Sequence, residues 1–169
     1  NTLHVIFERY EKASMYVRSD DNGATWTPPI NLREADMTNN QSSHHTIIAK
    51  GDYVYVSYFY RGYHYLKISK DKGLSWKPSR RIMRQSPGNV TLYKLLPDPN
   101  DVTGKTFYVF GGCFDKAKST NAGESFIDIA TYPINFNSTP GKVNQLMIDG
   151  KGTEHLIASL APISDYSQS

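Results

Sequence analysis

At 169 residues, 38% hydrophobic and 21% charged, the chain is long enough for one ordinary core and too apolar to be a disordered tail. A formal net charge of +3, evenly spread, gives no electrostatic footprint for nucleic acid, and the basic cluster from Lys77 to Arg84 has no interleaved aromatics for bases to stack on. No apolar run approaches the roughly eighteen residues of a helical membrane span, and a lone cysteine, Cys113, leaves no internal disulfide.

The twelve tyrosines sit largely in runs rich in Val, Ile and Phe, which is a β composition. Residues 1–10 alternate around Leu3, Val5 and Phe7 and are expected as a half-buried strand. Ser14 to Arg18 follows as a second strand, and Ile30 to Leu32 is a short outer strand after Pro28-Pro29. Residues 33–43 are polar and aperiodic, hence a loop. Thr46–Ala49 and Tyr53–Tyr60 read as a hairpin across Lys50-Gly51-Asp52, with strands at Tyr63–Ile68 and Arg80–Met83 beyond it. Thr91–Leu96 and Lys105–Phe110 repeat that hairpin across a longer Pro97-Asp98-Pro99-Asn100 loop. Ala117-Lys118 and Phe126–Tyr132 come next, and a last hairpin joins Val143–Ile148 to His155–Leu160 through Asp149-Gly150-Lys151-Gly152. No stretch holds a helical period, so the chain is expected to be all-β.

Three octets punctuate these strands at a spacing of fifty residues, beginning at Ser19, Ser69 and Ser119. Each fits Ser-x-Asp/Asn-x-Gly-x-Ser/Thr-aromatic. Gly23, Gly73 and Gly123 supply the positive φ of a tight turn, and Asp21, Asp71 and Asn121 can accept hydrogen bonds from turn amides. Trp26, Trp76 and Phe126 then offer apolar surface to the sheet, about 1.5–3 kcal/mol each if fully buried. With each octet as the turn between a third and a fourth strand, the chain reads 2-3-4, 1-2-3-4, 1-2-3-4, 1-2. That is the plan of a partial β-propeller of about three four-stranded antiparallel blades in a single segment 1–169, with blade parts at 1–32, 44–83, 90–132 and 143–160. It is expected to be a fragment of a six- or seven-bladed ring, closed by further blades or by a second copy.

Residue by residue, the octets resemble the Asp-box, or bacterial neuraminidase repeat, and the chain as a whole resembles the Asp-box propellers of the sialidase superfamily. The first two octets match completely, while the third departs with Asn121 and Phe126. The resemblance implies that Ser19, Asp21, Gly23, Trp26, Ser69, Asp71, Gly73, Trp76, Ser119, Asn121, Gly123 and Phe126 are structural and lie away from any ligand. A calcium role for residues 20–22 is unsupported, because spaced oxygen ligands are missing.

In an up-and-down meander the 2–3 loops and the 4–1 crossovers share the opposite face. Those segments hold Glu8, Arg9, Tyr10, Glu11, Tyr60, Arg61, Tyr63 and Asp115, with Arg33, Glu34, Asp36, His44 and His45. By resemblance to sialidases, which hold a substrate carboxylate with arginines and use an Asp as acid/base, Arg9, Arg61 and Asp115 are candidate catalytic residues. Glu8, Tyr10, His44, His45, Tyr60 and Tyr63 are candidate substrate contacts. His44-His45 lacks a third ligand at metal-site spacing, so neither metal nor cofactor is expected.

Three functions stay open. The first is a sialidase-like glycoside hydrolase releasing terminal sialic acid or a related sugar. The second is a non-catalytic propeller binding a glycan or a protein partner through its Tyr-rich loop. The third is a hydrolase of neutral polysaccharide, for which Glu8, Glu11, Asp36 and Asp115 supply carboxylates without a diagnostic pair. A secreted or cell-surface location is expected.

Overall fold

The computed structural model describes residues 1–9, 13–35, 37, 43–61, 63–83, 94–110, 115–131 and 141–160. Thirteen strands fall within them: β1 (Leu3–Glu8), β2 (Ser14–Ser19), β3 (Ile30–Asn31), β4 (Ser43–Lys50), β5 (Tyr53–Tyr60), β6 (Tyr63–Ser69), β7 (Arg80–Met83), β8 (Lys94–Pro97), β9 (Phe107–Phe110), β10 (Asp115–Ser119), β11 (Ile127–Thr131), β12 (Gly141–Ile148) and β13 (Glu154–Leu160). They form four sheets, β1-β2-β3, β4-β5-β6-β7, β8-β9-β10-β11 and β12-β13, each a meander of chain neighbours. All the pairings are antiparallel. β4 stands against both β1 and β8, and β12 against β8, so the inner strands gather on one side and the sheets fan out as blades. No helix among the described residues is long and apolar enough to cross a membrane.

Alternation along β5 explains how one sheet serves two cores. Val56, Tyr58 and Tyr60 point into a cluster with Tyr16, Leu32 and Met37 of the first blade. Tyr55, on the other face, packs with Leu95, Phe107 and Val109 of the third. Each interface also meets an octet. Trp76 packs edge-on to Tyr16 at 4.9 Å, and Phe126 edge-on to Phe107 at 5.8 Å. Trp26 is different: it is 44% exposed, and among the described residues no sheet stands on the outer side of β1-β2-β3.

The octets fold as hydrogen-bonded turns. In the first, Gly23 N–H donates to Ser19 Oγ at 2.8 Å, and Asp21 accepts from Thr25 N–H at 2.8 Å and Thr25 Oγ1 at 2.6 Å. The second repeats this, with Gly73 N–H to Ser69 Oγ at 2.7 Å and Ser75 N–H to Asp71 at 2.9 Å. In the third, Asn121 Oδ1 accepts from Ser125 N–H at 2.9 Å, but its amide Nδ2 donates to Ser125 Oγ, reversing the hydroxyl bond. That reversal is how the turn tolerates an amide, since Ser119 Oγ still receives Gly123 N–H at 2.8 Å. The residue before each glycine is left-handed too: Asn22, Lys72 and Ala122 have φ of 58°, 56° and 58°. Lys72 N–H reaches Asp52 O at 2.8 Å and Ala122 N–H reaches Lys105 O at 2.9 Å, so the octets and the first hairpin turns share one end of the blades.

Three placements differ from the sequence reading. His44 and His45 lie in β4 rather than in the crossover, because a bulge between Ser43 and Thr46 lets pairing with β5 continue past them. Asp115 opens β10 opposite Thr131 instead of ending a loop. β9 starts at Phe107, two residues later than expected. Asp101 captures the amides of Thr103 and Thr106, at 2.9 and 2.6 Å, and holds that stretch as a turn.

Candidate functional site

On the end opposite the octets, three elements enclose a cleft of about 630 Å³. The crossover between the first two blades contributes Glu34 and Met37, the β5–β6 hairpin contributes Tyr60, Arg61, Tyr63 and Tyr65, and β7 with its approach contributes Ser79, Arg80 and Arg81. Tyr60 pairs directly with Tyr63, so the hairpin turns in two residues, and Arg61 takes φ 47°. Two-residue hairpins require this left-handed backbone, and Asn or Gly adopts it at lower cost than arginine. Outside the octets, Arg61 is the sole non-glycine with positive φ among the described residues.

The aromatic and cationic groups are interleaved. Arg81 lies over the Tyr63 ring, 4.1 Å from its centroid, and its Nε donates to Tyr65 Oη at 3.4 Å. That bond holds the Arg81 guanidinium above its ordinary pKa. Arg61 lies 5.4 Å from the Tyr60 ring centre, and among the described residues its guanidinium meets no acceptor. Tyr58 and Tyr65 stack at 5.7 Å beneath them. Arg80 turns the other way, donating to Glu124 O at 2.9 Å and covering Phe126.

Glu34 is already committed. Its Oε1 accepts from Lys67 Nζ and, at 2.6 Å, from Ser79 N–H. Burial pushes its pKa up, but the bonds from Lys67 and Ser79 outweigh burial and leave the carboxyl below its usual range, hence ionised. Tyr58 beneath it donates to Ser79 Oγ at 2.9 Å, and burial pushes its phenol up to about 12, a neutral hydrogen-bonding group rather than a nucleophile. The cleft therefore presents two ring-stacked guanidinium groups around a neutralised floor.

Of the residues expected at the site, Tyr60, Arg61 and Tyr63 come together. Tyr60 is 5% exposed, so its ring supports Arg61 more than it meets a ligand. Glu8 and Arg9 are exposed at the end of β1, outside the cleft, with Arg9 N–H bonded to Ala13 O at 3.2 Å. His45 Nε2 lies 2.7 Å from the buried Ser14 Oγ, which ties β4 to the first blade. The side chains of His44 and Asp115, and all of Tyr10, Glu11 and Asp36, lie outside the described residues. Sequence reasoning passed over Arg81. Its signal was the alternation that sets it opposite Tyr65, and the bulge between His64 and Tyr65 hid the register.

A second recess, of about 510 Å³ on the octet end, is lined by Thr2, His4, Asp20, Lys50 and Lys72. Its lysines are spoken for: Lys50 Nζ donates to Asp98 O at 2.7 Å, and Lys72 pairs with Asp52 at 3.5 Å. Burial and nearby Arg18 push His4 below its ordinary pKa, so it adds no charge near neutrality. The cleft at the other end is the stronger candidate.

No protein-family model matches the chain, and no curated protein matches it. Among solved structures it is similar to one described as "YCF48 bound to D1 peptide", with a TM-score of 0.59 and 14% identity over 87% of this chain and 42% of that one. The chain thus spans less than half of that neighbour's length. At this identity the likeness speaks to fold alone, and it agrees with a partial β-propeller.

Proposed function

We propose that this chain is part of a non-catalytic Asp-box propeller whose loop-face cleft binds a protein partner through an acidic peptide segment. The observation that carries this reading is the pair of guanidinium groups, Arg61 and Arg81, stacked on Tyr60 and Tyr63 at the mouth of the cleft. Stacking fixes a guanidinium plane, so less freedom is lost when its edge N–H groups grip a carboxylate. Tyrosine and arginine are also the side chains most enriched at the energetic centres of protein interfaces. The neighbouring propeller described as bound to a peptide supports a peptide over a sugar. The test is binding of a fluorescently labelled Glu-rich peptide by anisotropy. Arg61→Ala and Arg81→Ala should each weaken it about tenfold or more, and falling affinity with added salt should accompany binding. Wild-type affinity retained by both variants overturns the proposal.

A second reading, a sialidase-like glycoside hydrolase, is favoured by the gathering of arginines and tyrosines in one cleft. It needs a Tyr–Glu nucleophile couple, and in the cleft Glu34 is occupied by Lys67 and Ser79. Turnover of a fluorogenic sialoside that is lost in Arg61→Ala would establish the hydrolase and displace the binding reading.

A further inference from the structure

The three octets share a turn but differ at the residue before its glycine, which is Asn22 in the first, Lys72 in the second and Ala122 in the third. All three take a left-handed backbone, at φ 58°, 56° and 58°, and asparagine adopts that state at lower cost than lysine or alanine. The better backbone fit carries a chemical liability. Asn22-Gly23 is the sole Asn-Gly step in the sequence, and glycine, having no Cβ, leaves its amide nitrogen unshielded toward the preceding carboxamide. Once that nitrogen loses its proton to hydroxide it can attack Asn22 Cγ. An N–Cγ bond forms, the Cγ–Nδ2 bond breaks, and ammonia leaves with a proton drawn from water. Water then opens the resulting five-membered imide. Breaking the new N–Cγ bond gives aspartate, whereas breaking the original peptide bond routes the main chain through Cγ as isoaspartate.

The folded octet stands against the first step. Gly23 N–H donates to Ser19 Oγ at 2.8 Å, and Ser19, 2% exposed, gives its own proton to Asp21 at 2.7 Å. Removing the Gly23 proton would set a nitrogen anion against a hydroxyl oxygen whose hydrogen already serves a carboxylate, an unpaired charge in a half-buried turn. The same geometry makes the isoaspartate branch a one-way step. The bonds from Gly23 N–H to Ser19 Oγ, from Thr25 N–H to Asp21 Oδ1 and from Ala24 N–H to Asp21 O all span the link between residues 22 and 23. An isoaspartate lengthens that link by a main-chain carbon, and a turn closed at φ 58° and 94° has no slack to absorb it. Asn121 of the third octet offers the contrast. Its Oδ1 accepts from Ser125 N–H, its Nδ2 donates to Ser125 Oγ, and alanine follows it.

We infer that Asn22 is a site of spontaneous deamidation by water, gated by the first octet: the reaction proceeds from the opened turn, and its isoaspartate product keeps the turn open. The first octet thereby converts a reversible local opening into a permanent one. The other two do not share this chemistry, since Lys72 and Ala122 have no carboxamide to lose.

Peptide mapping by mass spectrometry, on the whole chain incubated at one neutral pH in buffer and in urea, reads this directly. Conversion at Asn22 should be slower in buffer than in urea by about tenfold or more, because the native turn is open only a fraction of the time. Ser19→Ala should raise the rate in buffer about threefold or more and leave the rate in urea unchanged. Thr25→Ala, which loosens the same turn through Asp21, serves as a second variant, with circular dichroism confirming that both are folded. In aged wild type the Thr25 amide should lose its exchange protection, and Asn22→Ala, aged alongside, should keep it. Three results each overturn the inference: conversion as fast in buffer as in urea, no conversion at Asn22 in either, or a native rate that neither Ser19→Ala nor Thr25→Ala moves.

Discussion

Replacing Gly73 by alanine loads two separate costs onto one carbon atom. The residue sits at φ 81°, where an L side chain strains the backbone by roughly 1–2 kcal/mol. The new Cβ would also lie 1.9 Å from Tyr16 Oη and 2.7 Å from its Cζ. Tyr16 is 1% exposed, bonded to His4 Nδ1 at 2.7 Å and packed on Trp76, so moving it disturbs the core between two blades. Overpacking of this kind costs about 1–3 kcal/mol, and the two terms together give about 2–5 kcal/mol. The other octet glycines separate the terms. Gly23→Ala meets nothing closer than 3.5 Å and should cost only the backbone strain, while Gly123→Ala, at 3.0 Å from two flexible side-chain ends, should fall between. Urea unfolding of the three variants gives the order directly. A double-mutant cycle with Tyr16→Phe should show positive coupling at Gly73 and none at Gly23. Equal losses at all three glycines would refute the packing argument and leave the turn conformation as the whole effect.

Arg61→Asn should make the β5–β6 hairpin more stable by about 0.5–1 kcal/mol in urea unfolding while weakening peptide binding, because asparagine accepts the left-handed backbone that arginine adopts at φ 47°. Glu34→Gln should cost about 1–3 kcal/mol, since Lys67, only 8% exposed, loses its countercharge while Ser79 N–H keeps an acceptor; thermal unfolding measures this. The octets should loosen in acid. Bonds from Thr25 and Ser75, side chain and then backbone, hold Asp21 and Asp71 at a pKa of about 2, below the ordinary 3.8. The unfolded chain therefore binds more protons between those values, and the stability these groups add is present above about pH 4 and lost as pH falls toward 2. Protection of the Thr25 and Ser75 amides, measured against their intrinsic exchange rates, should fall over that window, and Ser125, bonded to the uncharged Asn121, should show no such step.

What the sequence revealed, it revealed through short-range rules. Gly73 and Asp71 declare a turn because the φ and the Asx bonds involve residues within a few positions, and the alternation of Tyr53 to Tyr60 declares a strand with two covered faces. The cleft was only half legible. Tyr60, Arg61 and Tyr63 share one hairpin, and topology alone brings them to the loop end. Arg81 enters through a bulge at His64/Tyr65, and Glu34 is neutralised by Lys67, 33 residues away. Neither a one-residue register shift nor a contact across a crossover leaves a local pattern. His45 shows the same limit: adjacent histidines suggest a site, and the Ser14 partner that explains one of them is 31 residues earlier.

The two ends of the blades divide the work by how their polar groups are used. At the octets both oxygens of Asp21 are taken by Thr25, and Ser19 Oγ bonds both Gly23 N–H and Asp21, so each group is satisfied within one turn. A turn closed in this way is satisfied from within, and the third octet exchanges Asp for Asn by reversing a single hydroxyl bond. At the hairpin end the opposite holds. Arg61 is kept in a backbone state that other residues fill more cheaply, its guanidinium resting on a ring and meeting no acceptor among the described residues. Strain with no internal return is expected where a side chain is retained for something outside the chain. Arg61 is thus the residue on which the stability and binding measurements should move in opposite directions, and the octet glycines are those on which stability should move alone.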